Sequence, residues 1–108
     1  MRTLTWYLTS VGPGASQRET YRLDREYIPA RAWVHSDVAP INNELMVDIN
    51  VDGVSIFSYQ LRLQDEKDAD SADFATTQLS KDSLVSLDID QAGGNTRGIT
   101  VGLELEEA

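Results

Sequence analysis

The chain has 108 residues, no cysteine and a formal net charge of −9, from 18 acidic and 9 basic side chains. This length suits a single domain, residues 1–108, and the lack of cysteine excludes disulfides, zinc–thiolate sites and thiol nucleophiles. Nucleic acid and anionic membranes are disfavoured as partners, because both need clustered Lys or Arg side chains. The first ten residues alternate apolar and polar side chains instead of forming the apolar run of a signal peptide, which predicts synthesis in a cytoplasm.

The N-terminal third predicts two strands separated by an irregular stretch. Leu4, Trp6 and Leu8 alternate with polar residues, which is the period of a half-buried strand, and Trp6 is therefore expected in the core. Residues 12–30 are polar and predict an extended arm or an edge strand. Residues 31–38 predict another strand, ended by the Ala-Pro pair that follows.

The central segment predicts a hairpin. Apolar residues recur at every second position from Leu45 to Val51, and the pair Asp52-Gly53 then predicts a two-residue turn, because glycine takes positive φ without steric cost. The apolar parity reverses on the return strand, which predicts a bulge or kink near Ile56-Phe57.

The C-terminal part begins with an acidic loop, residues 65–73, and a short helical turn is expected over residues 72–79. Residues 83–90 and 98–107 both alternate apolar and polar side chains and predict a second hairpin with a long, glycine-rich loop. In total the chain predicts six to eight strands and at most one short helix, which is typical of an all-β antiparallel sandwich or jelly roll.

Several strand and turn motifs carry a family resemblance. They are Ala39-Pro40, Val47-Asp48-Ile49-Asn50 with Asp52-Gly53 and Ser55-Ile56-Phe57, and Asp82, Leu84, Asp88-Ile89-Asp90-Gln91 and Gly93. In this pattern, over roughly the last three quarters of its length, the chain resembles small virion proteins of tailed bacteriophages. The resemblance implies a β-sandwich on a virion and implies no catalysis.

Two functions follow from the resemblance as expectations. The first is a capsid decoration, or cement, protein that is made in the host cytoplasm, lies on the capsid surface, binds and stabilises the lattice of the major capsid protein, and self-associates as a homo-oligomer. The alternative is a tail, fibre or baseplate module with carbohydrate as a ligand class. Neither function needs a cofactor, and we expect no enzyme activity.

One motif suggests a calcium site. Asp48, Asn50 and Asp52, followed by Gly53, match the start of an EF-hand loop. The twelfth position of such a loop must be a bidentate Glu, and here it is Tyr59. A hairpin turn with its polar residues facing water is therefore favoured, and no metal site is expected.

Two further groups were considered for catalysis. Asp88 and Asp90 share a strand face, as an acid–base pair would, but simple alternation explains them. His35 is the only histidine, and Ser36 and Asp37 beside it point to alternating faces, so these three do not form a triad. We expect a surface histidine and no catalytic residue.

Aromatic and basic residues are the candidates for partner binding. Tyr and Arg are enriched at the centres of protein interfaces, and an amphipathic edge strand is the alternative explanation for the same segment. The predicted partner-binding residues are Arg18, Tyr21, Arg22, Arg25, Tyr27 and Arg31. The aromatic residues that an exposed sandwich face would offer to a sugar or a protein are Tyr7, Tyr21, Tyr27, Trp33 and Tyr59, whereas Trp6 is expected in the core.

Overall fold

Two antiparallel β-sheets form the fold in the computed structural model, which describes residues 1–10, 20–94 and 96–108. These ranges contain nine strands. They are β1 (Arg2–Ser10), β2 (Tyr21–Arg22), β3 (Tyr27–Ser36), β4 (Leu45–Val51), β5 (Val54–Ser55), β6 (Leu61–Leu63), β7 (Asp68–Ser71), β8 (Leu84–Gln91) and β9 (Arg97–Glu107).

The strands divide into a four-stranded sheet A, in the order β1-β9-β3-β7, and a five-stranded sheet B, in the order β2-β8-β4-β5 with β6 also paired to β4. This arrangement confirms the all-β sandwich. Two of the strands, β2 and β5, are only two residues long, which is why the count exceeds the six to eight expected. None of the described residues belongs to a helix able to span a bilayer.

The core lies between the sheets and consists of the apolar positions of each alternating strand. Trp6 is 1% exposed and packs edge-on against Tyr21, with ring centroids 5.3 Å apart, so its predicted place in the core is confirmed. Burial of these side chains is the main force that holds the sheets together. The buried residues of the five longest strands include Leu4, Leu8, Val34, Val47, Ile49, Val85, Leu87, Ile89, Ile99, Val101, Leu103 and Leu105.

The central hairpin is confirmed. Asn50 pairs with Ser55 and Val51 with Val54, and both turn residues have positive φ, 52° at Asp52 and 84° at Gly53. Such a turn matches the right-handed twist of the flanking strands.

The kink after this hairpin is also confirmed, and it is longer than a one-residue bulge. The Ile56 amide donates to the Ile49 carbonyl at 3.0 Å, and β4 then pairs with β6 from Val47 to Leu61 onward. The intervening residues 57–60 leave the ladder, and Phe57 stacks on Phe74 with ring centroids 5.6 Å apart.

Two local predictions were wrong. Strands β8 and β9 do not form a hairpin, because β8 lies in sheet B and β9 in sheet A; each buries its apolar face against the opposite sheet. Residues 72–79 are not helical, because Leu79 is buried and exchanges backbone hydrogen bonds of 2.8 and 3.0 Å with Tyr27. Long-range bridges hold this segment extended.

The segment 12–30 is partly described. Tyr21 and Arg22 form the edge strand β2, which pairs with β8, and Tyr27 begins β3. Arg18 lies outside the described residues.

Candidate functional site

The outer face of sheet A carries a group of aromatic and charged side chains that share one surface. Because side chains alternate along a strand, the residues between the buried positions of β1, β9, β3 and β7 all point outward. Register places them in three cross-strand rows, together called the sheet A face: Tyr7, Thr100, His35 and Asp68; Thr5, Gly102, Trp33 and Asp70; Thr3, Glu104 and Arg31.

Trp33 forms the centre of the sheet A face. It is half-buried, and its indole lies across Gly102 of the neighbouring strand. A Cβ atom at Gly102 would lie 2.2 Å from Cε2 and 2.5 Å from Nε1 of the indole. Only glycine leaves room for the ring, so the sequence of β9 determines the position of an aromatic side chain on β3.

Arg31 lies beside Trp33 and connects three strands. Its Nε donates to Asp70 Oδ2 at 3.0 Å, and its Nη1 donates to Glu104 Oε2 at 2.8 Å. Hydrogen bonds from Asp70 and then Glu104 raise the pKa of Arg31 above its usual value. Exposed ion pairs add little stability, and their effect here is to hold the guanidinium in place next to the indole.

His35 is held between two carboxylates. Its Nδ1 lies 2.7 Å from Asp68 Oδ1, and its Nε2 lies 3.2 Å from Asp37 Oδ1. The hydrogen bond with Asp68 is the main cause that raises the pKa of His35, and Asp37 adds to it. His35 is thus the surface histidine that was predicted, and Ser36 beside it is buried with its hydroxyl donated to the Val38 carbonyl at 2.6 Å.

A shallow groove runs along the sheet A face where β3 meets β7. Its volume is about 440 Å³, within the range of about 300–1,000 Å³ that ligand clefts occupy. The residues that line it are Arg31, Trp33, Val34, Asp68, Ala69 and Asp70.

The predicted partner-binding tyrosines lie toward the interior. Tyr27 is 4% exposed, and its hydroxyl donates to Asp24 Oδ1 at 2.7 Å. Tyr21 is half-buried, and its hydroxyl donates to the Thr5 carbonyl at 2.7 Å. Both rings therefore close the edge of the sandwich.

The arginines of the same prediction are spread over the molecule. Arg22 pairs with Asp82 at 3.1 Å and Arg25 with Glu107 at 3.2 Å. Arg31 is the member of the described set that lies on the sheet A face. The structure does not bring the six residues into one patch, and their role in partner binding stays a prediction.

The predicted calcium candidates do not converge on one point. Asp48 Oδ1 accepts a bond of 2.6 Å from Ser55, Asn50 donates to Asp88, and Asp52 Oδ1 accepts from the Leu84 amide at 3.0 Å. Among the described residues no group of three or more His, Asp or Glu is placed to hold a metal ion.

The expectation that Asp48 and Asn50 face water was wrong. Each is 8% exposed, because Ser55 and the neighbouring strand β8 cover them. Burial is the main cause that raises the pKa of Asp48, and the nearby charges of Asp90 and Asp88 add to it.

Trp33 and Tyr7 belong to the aromatic residues expected on an exposed face, but nothing in the sequence distinguished them from the others. Tyr7 is 54% exposed. The residue that sequence reasoning missed is Gly102, on which the Trp33 indole lies. Its position among large apolar residues of β9 was a usable signal, because glycine within a strand marks close approach by another group.

The fold and this surface together define an antiparallel β-sandwich with an aromatic, ion-paired outer face. Comparison of the chain with protein-family models and with curated proteins found no match.

Proposed function

We propose that this chain is a structural protein of a tailed-phage virion, a capsid decoration protein that binds and stabilises the lattice of the major capsid protein. The observation that carries the proposal is the sheet A face, with Trp33 held over Gly102 at its centre. The motifs shared with small phage virion proteins supply the biological setting. On this proposal the chain lies on the capsid surface.

The side chains of the sheet A face are the types that stabilise protein interfaces. Trp, Tyr and Arg are enriched at interface centres, and Trp33, Tyr7 and Arg31 share this face. Trp33 is already positioned by Gly102 and Arg31 by two carboxylates. Little side-chain entropy is therefore lost when a partner docks.

The charge and size of the molecule favour a flat, basic partner surface. Asp68, Asp70 and Glu104 outnumber Arg31 on the sheet A face, and the whole chain carries a net charge of −9. Complementary charge steers association and fixes orientation. The two larger dimensions of the molecule, 39 and 22 Å, give one face an area close to the ~800 Å² that each partner buries in a standard interface.

The proposal assigns no catalytic step to the chain. Asp88 and Asp90, the pair considered for acid–base chemistry, accept hydrogen bonds from Asn50 and Gln60. We propose that these two carboxylates have a structural role, as hydrogen-bond acceptors on the outer surface of sheet B.

The test is binding of the purified chain to capsids that lack it. Trp33→Ala is expected to weaken binding at least tenfold, the loss typical of an interface hot spot. Tyr59→Ala is the matched control, because Tyr59 is an exposed aromatic residue, 69% accessible, outside the sheet A face. Equal occupancy by wild type and Trp33→Ala would overturn the assignment of this face.

A second function, a tail, fibre or baseplate module that binds carbohydrate, is favoured by one observation. The groove beside Trp33 combines an indole with the carboxylates of Asp68 and Asp70. An apolar ring face can stack on a sugar ring while carboxylates accept bonds from its hydroxyls. Saturable binding of an oligosaccharide that Trp33→Ala abolishes, with no binding to capsids, would establish this function in place of the first.

A further inference from the structure

Among the described strands, β1 is a long strand at the edge of sheet A. It pairs with β9 over the full length from Arg2 to Ser10, and no described strand pairs with its other side. An open strand edge is a template for pairing with another chain.

Two hydrogen bonds elsewhere in sheet A determine which residues of β1 point their backbone groups away from β9. The Ser36 amide donates toward β7, to the Lys67 carbonyl at 2.8 Å, and the Asp37 amide donates toward β9, to the Gly98 carbonyl at 3.1 Å. Residues of one parity along an antiparallel strand point their backbone groups to the same side. The register of β9 with β3 and with β1 extends this rule to β1. The backbone groups of Leu4, Trp6 and Leu8 are therefore the ones that bond to β9.

The backbone N–H and C=O groups of the alternate residues of β1 therefore point away from β9, toward the edge of sheet A. The residues concerned are Thr3, Thr5, Tyr7 and Thr9. An independent contact agrees: the Thr5 carbonyl accepts a bond of 2.7 Å from the Tyr21 hydroxyl, which lies outside sheet A. A carbonyl oxygen has two lone pairs, so Thr5 can accept a second bond from a strand that docks here.

The other described edges carry features that natural sheets use against unwanted pairing. Strand β7 has four residues and presents Asp68 and Asp70. Strands β2 and β5 have two residues each, and β6 has three. Residues 3–9 of β1, in contrast, include no charged residue, no proline and no glycine.

We propose that β1 pairs antiparallel with β1 of a second copy of this chain across a two-fold axis, which joins the two A sheets into one continuous sheet. The fullest overlap places Thr5 opposite Tyr7 of the second copy and Thr3 opposite Thr9. Each of the four pairs that results exchanges two backbone hydrogen bonds. Thr–Tyr pairs of this kind favour strand association.

Charge favours the β1 edge as the place where a second copy docks. With a net charge of −9, two copies repel each other over most of their surface. The β1 edge brings together strands whose outward side chains are uncharged, so no like charges face each other in the pairing. Arg2, at the end of β1, is already paired with Asp24 of its own chain at 2.8 Å.

The test is the mass of the chain in solution, measured by light scattering or native mass spectrometry over micromolar to millimolar concentrations. Wild type is expected as a dimer, twice the 12.0 kDa of one chain. The double variant Thr5→Lys/Tyr7→Lys opposes Lys to Lys and should be monomeric, as should Thr5→Glu/Tyr7→Glu. An equimolar mixture of the two variants should restore a dimer, because Lys then faces Glu.

Val54→Lys is the matched control for added charge, since Val54 is 67% exposed at the hairpin of sheet B, and it should leave the dimer intact. A wild type that remains monomeric at every concentration overturns the pairing. The pairing is also overturned if either double variant is a dimer, or if the mixture of the two variants fails to associate. None of these results bears on capsid binding through the sheet A face, which is measured separately, so the two proposals fail independently.

Discussion

The indole of Trp33 lies across the backbone of Gly102, its cross-strand partner in sheet A. The contact turns one aromatic ring into a fixed part of the outer surface, and Tyr7, in the adjoining row of the same face, is exposed. Because glycine carries no side chain, the strand loses packing of its own at this position and gains it from the indole. The sheet A face therefore depends on a residue that makes no side-chain contact itself.

Replacing Gly102 with Ala should displace the indole. The added Cβ would lie 2.2 Å from the ring, so Trp33 must leave its place, at a cost of about 1–3 kcal/mol in the free energy of unfolding. Urea unfolding followed by tryptophan fluorescence measures both the stability and the exposure of the ring. Thr100→Ala, on the same strand and face, is the control and should change neither. Unaltered stability and emission in Gly102→Ala would mean that the ring does not rest on the glycine.

The titration of His35 should be shifted upward. Asp68 and then Asp37 raise its pKa above the ordinary value of 6.5. The stabilisation from these contacts is fully present below the pKa of the unfolded chain and is lost as the pH rises through the higher pKa of the folded protein. Since His35 is the only histidine, a single NMR resonance reports its titration.

Asp68→Asn should lower the midpoint of that titration more than Asp37→Asn, because the bond to Asp68 is the larger cause. Equal midpoints in the wild type and Asp68→Asn would contradict the contact. Urea unfolding of the wild type at pH values on either side of the midpoint supplies the matching stability measurement.

Asp48→Asn should stabilise the protein at neutral pH. Asp48 is buried directly opposite Asp88, and the substitution removes one of two opposed negative charges, a gain of about 1 kcal/mol. An amide oxygen can still accept the bond from Ser55. The measurement is the free energy of unfolding in urea, with Asp73→Asn as the control for the same change in net charge at an exposed position.

The gain from Asp48→Asn should depend on pH in a defined direction. Burial raises the pKa of Asp48 in the folded protein, so the ionised carboxylate opposes folding above that pKa. The opposition declines as the pH falls from that pKa to the lower pKa of the unfolded chain, and below the latter it is absent. The advantage of the variant should therefore shrink in acid. An advantage that grows as the pH falls would contradict this origin.

Alternation and turn chemistry predicted the parts of the fold that depend on neighbours in sequence. The period of β1 placed Trp6 in the core, and Asp52-Gly53 located the hairpin. Alternation states which face of a strand is buried but not which sheet the strand joins, so β8 and β9 were wrongly paired. The extended conformation at Leu79 depends on its distant partner Tyr27 and left no local signal.

The candidate site was predicted less well than the fold, because it too depends on contacts between residues that are distant in the sequence. Tyr and Arg composition pointed to residues 18–31, whereas Tyr27 is buried. The sheet A face is assembled by register between strands that are far apart in the chain, as with Trp33 and Gly102. No local pattern reports such a register.

The most direct measurement for the central proposal is the copy number and position of this chain in purified particles of the phage that, on this proposal, encodes it. Quantitative mass spectrometry gives the copy number, and cryo-electron microscopy gives the position. A decoration protein should be present in hundreds of copies, on the outside of the shell, with its sheet A face toward the major capsid protein. A handful of copies at the tail, or none in the particle, would contradict the proposal.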